Sequence, residues 1–194
     1  MAGARSSPTP SNHRRAVNTF DDCFDIVVGA EGGFTEDPAD PGNWTGGSPG
    51  CGICRGTKFG ISAAAYPNID IAELTIQAAR ALYKRDYWDR LYADRLPPRL
   101  ALLAFDAAVN NGIFRATTWL QKAAKVTPDG VIGPATLAAV ASAAVQPEDL
   151  TGMCIEFLAL RLAFMAELPT WKRFGLGWAR RLCRLLYRSL TIAD

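Results

Sequence analysis

A chain of 194 residues with 49% apolar and 21% charged side chains is long enough to bury one substantial core. That mix excludes wholesale disorder, a collagen or coiled-coil rod and a multi-span membrane protein. The net charge of +2 is too small to mark a nucleic-acid binder, although residues 169–194 carry six basic side chains against one acidic and form a basic end.

Residues 1–17 are rich in Ser and Pro, contain the only histidine, His13, and have no apolar stretch. They read as a disordered tail without a recognisable secretion signal, so a protein acting outside the cytoplasm would need another route of release. From there Phe20, Phe24, Val27 and Val28 recur at helical spacing. Asn18 or Thr19 is placed to cap that helix and Gly32-Gly33 to stop it, which puts Glu31 at a helix C-terminus. Residues 42–60 hold seven of the 17 glycines. This stretch cannot be a helix, and it reads as a long loop or small β-hairpin with a functional rather than a connecting role.

Helical pattern then dominates. Thr75 can cap a helix through Trp88, Pro98 opens one that reaches Asn110 and stops at Gly112, and Phe114 to Lys125 makes another. Pro128-Asp129-Gly130 is a turn, Pro134 starts a helix to about Ala144, and Pro147 precedes a longer one to Leu168. A basic helix follows Pro169. About seven helices around one glycine-rich loop make the fold mainly α.

The residue inventory narrows the chemistry. With one histidine in the tail there is no Ser-His-Asp or Cys-His pair, no HExxH and no phosphate-binding GxxxxGK[ST]. The five cysteines are too scattered for a disulfide scaffold, and Cys51-Gly-Ile-Cys54 lacks a second pair for a structural zinc, so no metal and no organic cofactor is expected. Carboxylates are the remaining acid–base groups. Glu31 reads either as a solvated residue before a Gly32 C-cap, the plainer reading on local chemistry, or, facing the negative end of a helix dipole near Phe34, as the carboxylate whose surroundings favour the protonated form needed of a general acid. Asp40, between two Asp-Pro steps, reads either as a plain Asx turn or as the second carboxylate that glycoside hydrolysis requires.

Taken in order, Glu31-Gly-Gly-Phe, Asp37-Pro-Ala-Asp40-Pro-Gly, Trp44-Thr45-Gly and Gly56-Thr57-Lys-Phe-Gly60-Ile-Ser62 resemble the active-site region of the glycoside hydrolase family 108 muramidases, which are phage endolysins and bacterial lysozymes. The likeness continues through Tyr87-Trp88, Leu96-Pro97 and Phe105-Asp106-Ala-Ala-Val-Asn110-Asn-Gly112. It then enters Leu120-Gln121-Lys-Ala-Ala and Asp129-Gly130-Val-Ile-Gly133-Pro134-Ala-Thr136-Leu, similar to the peptidoglycan-binding region that follows the catalytic part in this family.

The resemblance implies a lysozyme-like helical fold with a catalytic region over residues 18–107 and a helical peptidoglycan-binding-like region over 108–190, packed into one globule. It also implies cleavage of the β-1,4 bond between N-acetylmuramic acid and N-acetylglucosamine, with Glu31 as catalytic acid and with Asp40 and Thr57 directing water or stabilising the sugar cation. Thr45 and Thr57 both qualify for the threonine position, and Thr57 is preferred. Trp44, Thr45 and Asn110 are the substrate-binding candidates. Tyr87, Trp88, Phe105 and Trp119 are assigned to the core. The partner is bacterial peptidoglycan and not nucleic acid, and a monomer is expected. Arg180, Arg184 and Arg188 are spaced along one face of the last helix with Leu182, Leu185 and Leu186 on the other; a solvated face is the preferred reading, and attraction to acidic wall polymers or weak membrane contact is the second. A chain made in the cytoplasm would reach the wall by holin-type or other release. A lytic transglycosylase and a non-catalytic wall-binding or secretion-associated factor are the alternatives.

Overall fold

The computed structural model describes residues 20–29 and 32–191. The tail with His13, the Asn18 or Thr19 cap and Glu31 lie outside the described residues. Among the described residues the chain forms α1 (Phe20–Val27), β1 (Thr57–Lys58), β2 (Ile61–Ser62), α2 (Ile76–Tyr83), α3 (Pro98–Asn111), α4 (Ile113–Ala123), α5 (Pro134–Ala143), α6 (Pro147–Ala166) and α7 (Trp171–Thr191). This is the mainly α architecture expected, with one small antiparallel hairpin pairing Thr57 with Ser62 and Lys58 with Ile61.

The helix boundaries follow local chemistry. Thr75 caps α2, its hydroxyl accepting from the Ala78 N–H at 3.2 Å. The winding then loosens into a π turn over Lys84–Trp88 and tightens into two 3-10 turns. Pro98, Pro134 and Pro147 open α3, α5 and α6, where a missing N–H costs nothing.

The end of α1 differs from expectation. The helix stops at Val27 rather than at Gly32-Gly33, because Gly29 turns at φ +70° and both Val28 and Gly29 donate to the Phe24 carbonyl. In sequence, Glu31 follows the last helical residue by four positions.

Helix α3 is the centre of the molecule. Every residue from Leu100 to Ala108 is buried, the mark of a helix covered on all sides, and it packs against α1, α4, α6 and α7. Phe105 meets Phe20, Trp88 and Tyr83 edge-on, with ring centroids 5.6–6.4 Å apart. One hydrophobic cluster runs from Phe20 and Phe24 in α1 through α3 to Leu182 and Leu185 in α7.

At the heart of that cluster lies Asp106, fully buried. Arg161 of α6, also buried, donates Nη1–H to Asp106 Oδ2 at 2.6 Å and Nε–H to Asn111 Oδ1 at 2.8 Å. Arg181 of α7 donates to the other carboxylate oxygen and, through Nη2, to the Val27 carbonyl at 3.3 Å. One carboxylate thus ties α3 to both C-terminal helices and to the end of α1. Burial pushes the Arg161 pKa down, against the opposing pull of Asp106.

Candidate active site

The glycine-rich segment is built around one buried side chain, Asn43. A short 3-10 turn over Pro41–Asn43 is capped by Asp40, whose Oδ1 accepts from the Gly42 N–H at 2.8 Å. The turn delivers Asn43 inward, fully buried. There its Nδ2 donates to the Asp37 carbonyl at 3.0 Å, its Oδ1 accepts from the Thr57 hydroxyl at 2.7 Å, and its backbone carbonyl accepts from Arg55 and Gly56. A buried polar side chain satisfied at both ends fixes its neighbours. Asn43 therefore couples the Asp40 turn to Thr57, which sits at the start of β1.

Thr57 is also the pairing point for the segment that follows Glu31. Thr35 and Thr57 exchange backbone hydrogen bonds at 2.8 and 2.9 Å, and the Phe59 N–H donates to the Gly32 carbonyl at 2.9 Å. A Cβ on Gly32 would lie 2.6 Å from the Phe59 Cα, so only glycine permits this approach. Gly32, the residue next to Glu31 in sequence, is thereby pinned beside the Thr57 strand.

The other expected site residues divide. Asp40 is exposed, with one carboxylate oxygen engaged in the turn, so the Asx-turn reading is realised and its second oxygen takes no partner among the described residues. Thr45 spends its hydroxyl inside the loop, accepting from the Ile53 N–H at 2.9 Å. Trp44 donates its indole N–H to the Pro38 carbonyl at 2.9 Å and keeps a half-buried ring. Asn110 is exposed and its Nδ2 donates to the Asp106 carbonyl one helical turn back. Cys51 and Cys54 are free thiols, Cys51 exposed and Cys54 half-buried.

Two sets of residues went unrecognised in the sequence. Asn43 is one, hidden as a loop asparagine. The other lines a groove of about 520 Å³ between the Ala65-Tyr66 segment after β2, the turns from Asp86 to Arg90 and the start of α4, where Tyr66, Asp86, Tyr87, Arg90 and Phe114 line the walls. Tyr66 donates its hydroxyl to Asp86 Oδ2 at 2.8 Å. Burial, reinforced by that bond, raises the Tyr66 pKa well above its ordinary value, while Asp86, bound also by Arg85, is held below the usual carboxylate range. Of the aromatics assigned to the core, Trp88, Phe105 and Trp119 are buried, but Tyr87 is half-exposed and lines this groove. Aromatic walls with a fixed carboxylate and a guanidinium are the surfaces on which sugars stack and hydrogen-bond.

In the helical half, Gln121 is buried and organises the Asp129-Gly130 turn. Its Nε2 donates to Asp129 Oδ1 at 2.6 Å and to the Val131 carbonyl at 3.0 Å, and its Oε1 accepts from the Gly130 N–H at 2.8 Å. The Gln121 bond, aided by the Val131 N–H, lowers the Asp129 pKa. These two residues hold the fold of the region that contains them.

Two family models match the chain: glycosyl hydrolase 108 over residues 24–112 and a predicted peptidoglycan domain over residues 115–183. A solved structure, that of Brucella abortus SagA, is similar over 89% of this chain and 94% of its own, with 31% sequence identity and a TM-score of 0.71. The chain belongs to the glycosyl hydrolase 108 family. Among curated proteins no sequence matches it.

This glycosyl hydrolase 108 protein is thus a glycoside hydrolase whose polymer is peptidoglycan. The matched regions meet inside the first turn of α4, and the Asp106 cluster crosses that boundary: Asp106 and Val27 belong to the first region, Arg161 and Arg181 to the second.

Proposed function

We propose that the protein is an N-acetylmuramidase, a lysozyme of endolysin type, hydrolysing the β-1,4 bond between N-acetylmuramic acid and N-acetylglucosamine. The observation that carries this reading is the backbone pairing of Gly32–Thr35 with Thr57–Phe59, which ties the chain directly after Glu31 to the threonine held by Asn43 and so to the Asp40 turn. In this reading Glu31 protonates the leaving glycosidic oxygen. Asp40 offers its free carboxylate oxygen, and Thr57 its hydroxyl, to the attacking water or to the positive charge that develops at the anomeric carbon. Thr45, whose hydroxyl accepts from the Ile53 N–H within its own loop and takes no part in the Asn43 network that reaches the Asp40 turn, is the weaker candidate for that role. Asn110, the ring of Trp44 and the groove of Tyr66, Asp86, Tyr87, Arg90 and Phe114 hold the glycan on either side of the scissile bond.

The two matched regions work as one unit, joined through the Asp106 cluster, and the wall is the site of action. The basic side of α7, with Arg180, Arg184 and Arg188 exposed beside Tyr187 and Leu190, gives weak contact with an anionic membrane surface. A lytic transglycosylase would use the same glutamate but needs no second carboxylate.

The test is the rate of glycan release from purified sacculi by wild type, Glu31→Gln, Asp40→Asn and Thr57→Ala. Near-complete loss in the first and a drop of about 10²–10⁴-fold in the second and third, with folding intact, are expected. Undiminished release by Glu31→Gln would overturn the assignment.

A further inference from the structure

A groove of about 900 Å³ lies far along the chain from the hairpin, between the end of α4, the end of α5 and the first three turns of α6. Its size is that of a ligand site. Small residues line it, Ala143 and Gly152 among them, together with buried Met153. Its walls carry charge of opposite sign. Lys122 and Lys125 stand on the α4 side, and Glu148, Asp149 and Glu156 stand on α6. These charges face the same space, yet none of the five forms an ion pair among the described residues. Opposed charges left open across a groove form a recognition surface for a ligand that carries both signs.

Some of these charges have a local explanation. Glu148 and Asp149 sit in the first turn of α6 and Lys122 in the last turn of α4, each favourable to its helix dipole. Lys125 and Glu156 have no such account. Lys125 stands in the left-handed region at φ +56°, at the C′ position of a Schellman motif in which Lys125 donates to the Lys122 carbonyl and Val126 to the Gln121 carbonyl, both at 3.0 Å. Glycine is the residue this position favours. The chain instead keeps an ammonium there, over the groove and against its backbone preference.

We infer that this groove binds the peptide stem of peptidoglycan, with Lys122 and Lys125 meeting the carboxylates of the stem and Glu148, Asp149 and Glu156 meeting the free ammonium of its diamino acid. The inference deepens the peptidoglycan-hydrolase reading and rests on it. The stem, unlike the neutral backbone of the glycan, supplies both charges in one short segment. A site for it on α4–α6 would hold the enzyme on the wall while the hairpin engages the glycan.

The strained lysine supplies a variant that separates binding from folding. Lys125→Gly removes the ammonium and relieves the left-handed strain, so its thermal midpoint should equal or exceed that of wild type. Calorimetric titration with a synthetic stem tetrapeptide bearing a free side-chain ammonium should show binding to wild type. Binding should weaken about fivefold for Lys125→Gly and, by a similar factor, for the peptide with its ammonium acetylated, the size expected of one partly exposed charge pair. In Glu148→Gln/Glu156→Gln the two peptides should bind alike. On sacculi, KM should rise for Lys125→Gly, while kcat on peptide-free glycan strands is unchanged.

Equal binding of both peptides by wild type, or no binding by a protein that still hydrolyses sacculi, would overturn the inference and leave the hydrolase reading standing. Peptide binding of the predicted pattern by a protein that leaves sacculi intact would sustain the inference and sink that reading.

Discussion

Replacing Asp106 with alanine tests whether the two matched regions are one cooperative unit. The carboxylate is fully buried and Arg161 is 1% exposed, so Asp106→Ala leaves a buried guanidinium whose Nη1–H has lost its acceptor. Removing one partner of such a pair costs about 3–5 kcal/mol, a large share of the ~5–15 kcal/mol by which a domain is stable. At about 2–4 °C per kcal/mol for a chain of this size, the thermal midpoint should fall by roughly 6–20 °C. Arg181, about two-fifths exposed, can turn to solvent and adds less. Replacing both partners by apolar residues, Asp106→Leu with Arg161→Met, should recover most of the loss, because no buried charge is then left alone. Calorimetry of the three proteins reads this directly, and residues from both matched regions should melt in a single transition. A loss below about 1 kcal/mol for Asp106→Ala, or two separate transitions in wild type, would refute the reasoning.

Further outcomes follow from the site. Asn43→Ala removes the acceptor of the Thr57 hydroxyl and the donor to Asp37. It should cost about 1–3 kcal/mol in urea unfolding and lower kcat on sacculi, whereas a wild-type rate would show that Thr57 does not need this support. The Gln121 hydrogen bond holds the folded pKa of Asp129 below the ordinary carboxylate value, so the stability it contributes is fully present above the unfolded pKa and is lost as pH falls through the folded one. Wild type should therefore be more stable than Asp129→Asn at neutral pH, with the gap closing below about pH 4. A gap that persists in acid would assign the effect to shape rather than charge.

The helices were legible because their signals are local. Pro98, Pro134, Pro147 and Thr75 mark starts, and the apolar period between them does the rest. The irregular hairpin region was legible from its glycines. The end of α1 was misplaced because three glycines compete to stop it, and Gly29 acts before Gly32-Gly33; the close approach of Gly32 to Phe59, which explains that glycine, depends on a hairpin turn 27 residues away. The Asp106 cluster spans 55 and 75 residues of sequence, a distance no periodicity encodes. Its one local signal is a charge set inside an apolar run, Asp106 in Leu100–Val109 and Arg161 in Phe157–Met165, where an unpaired charge would be untenable. Asn43 had no such mark, since asparagine in a glycine-rich turn is the commonplace choice.

The central claim, hydrolysis on the muramic acid side of the glycan linkage, is tested most directly by digesting sacculi in water enriched in oxygen-18 and locating the label by mass spectrometry. The account predicts one labelled oxygen on the reducing-end N-acetylmuramic acid of the fragments released by wild type. Label on N-acetylglucosamine, or unlabelled anhydro-muropeptides, would contradict it.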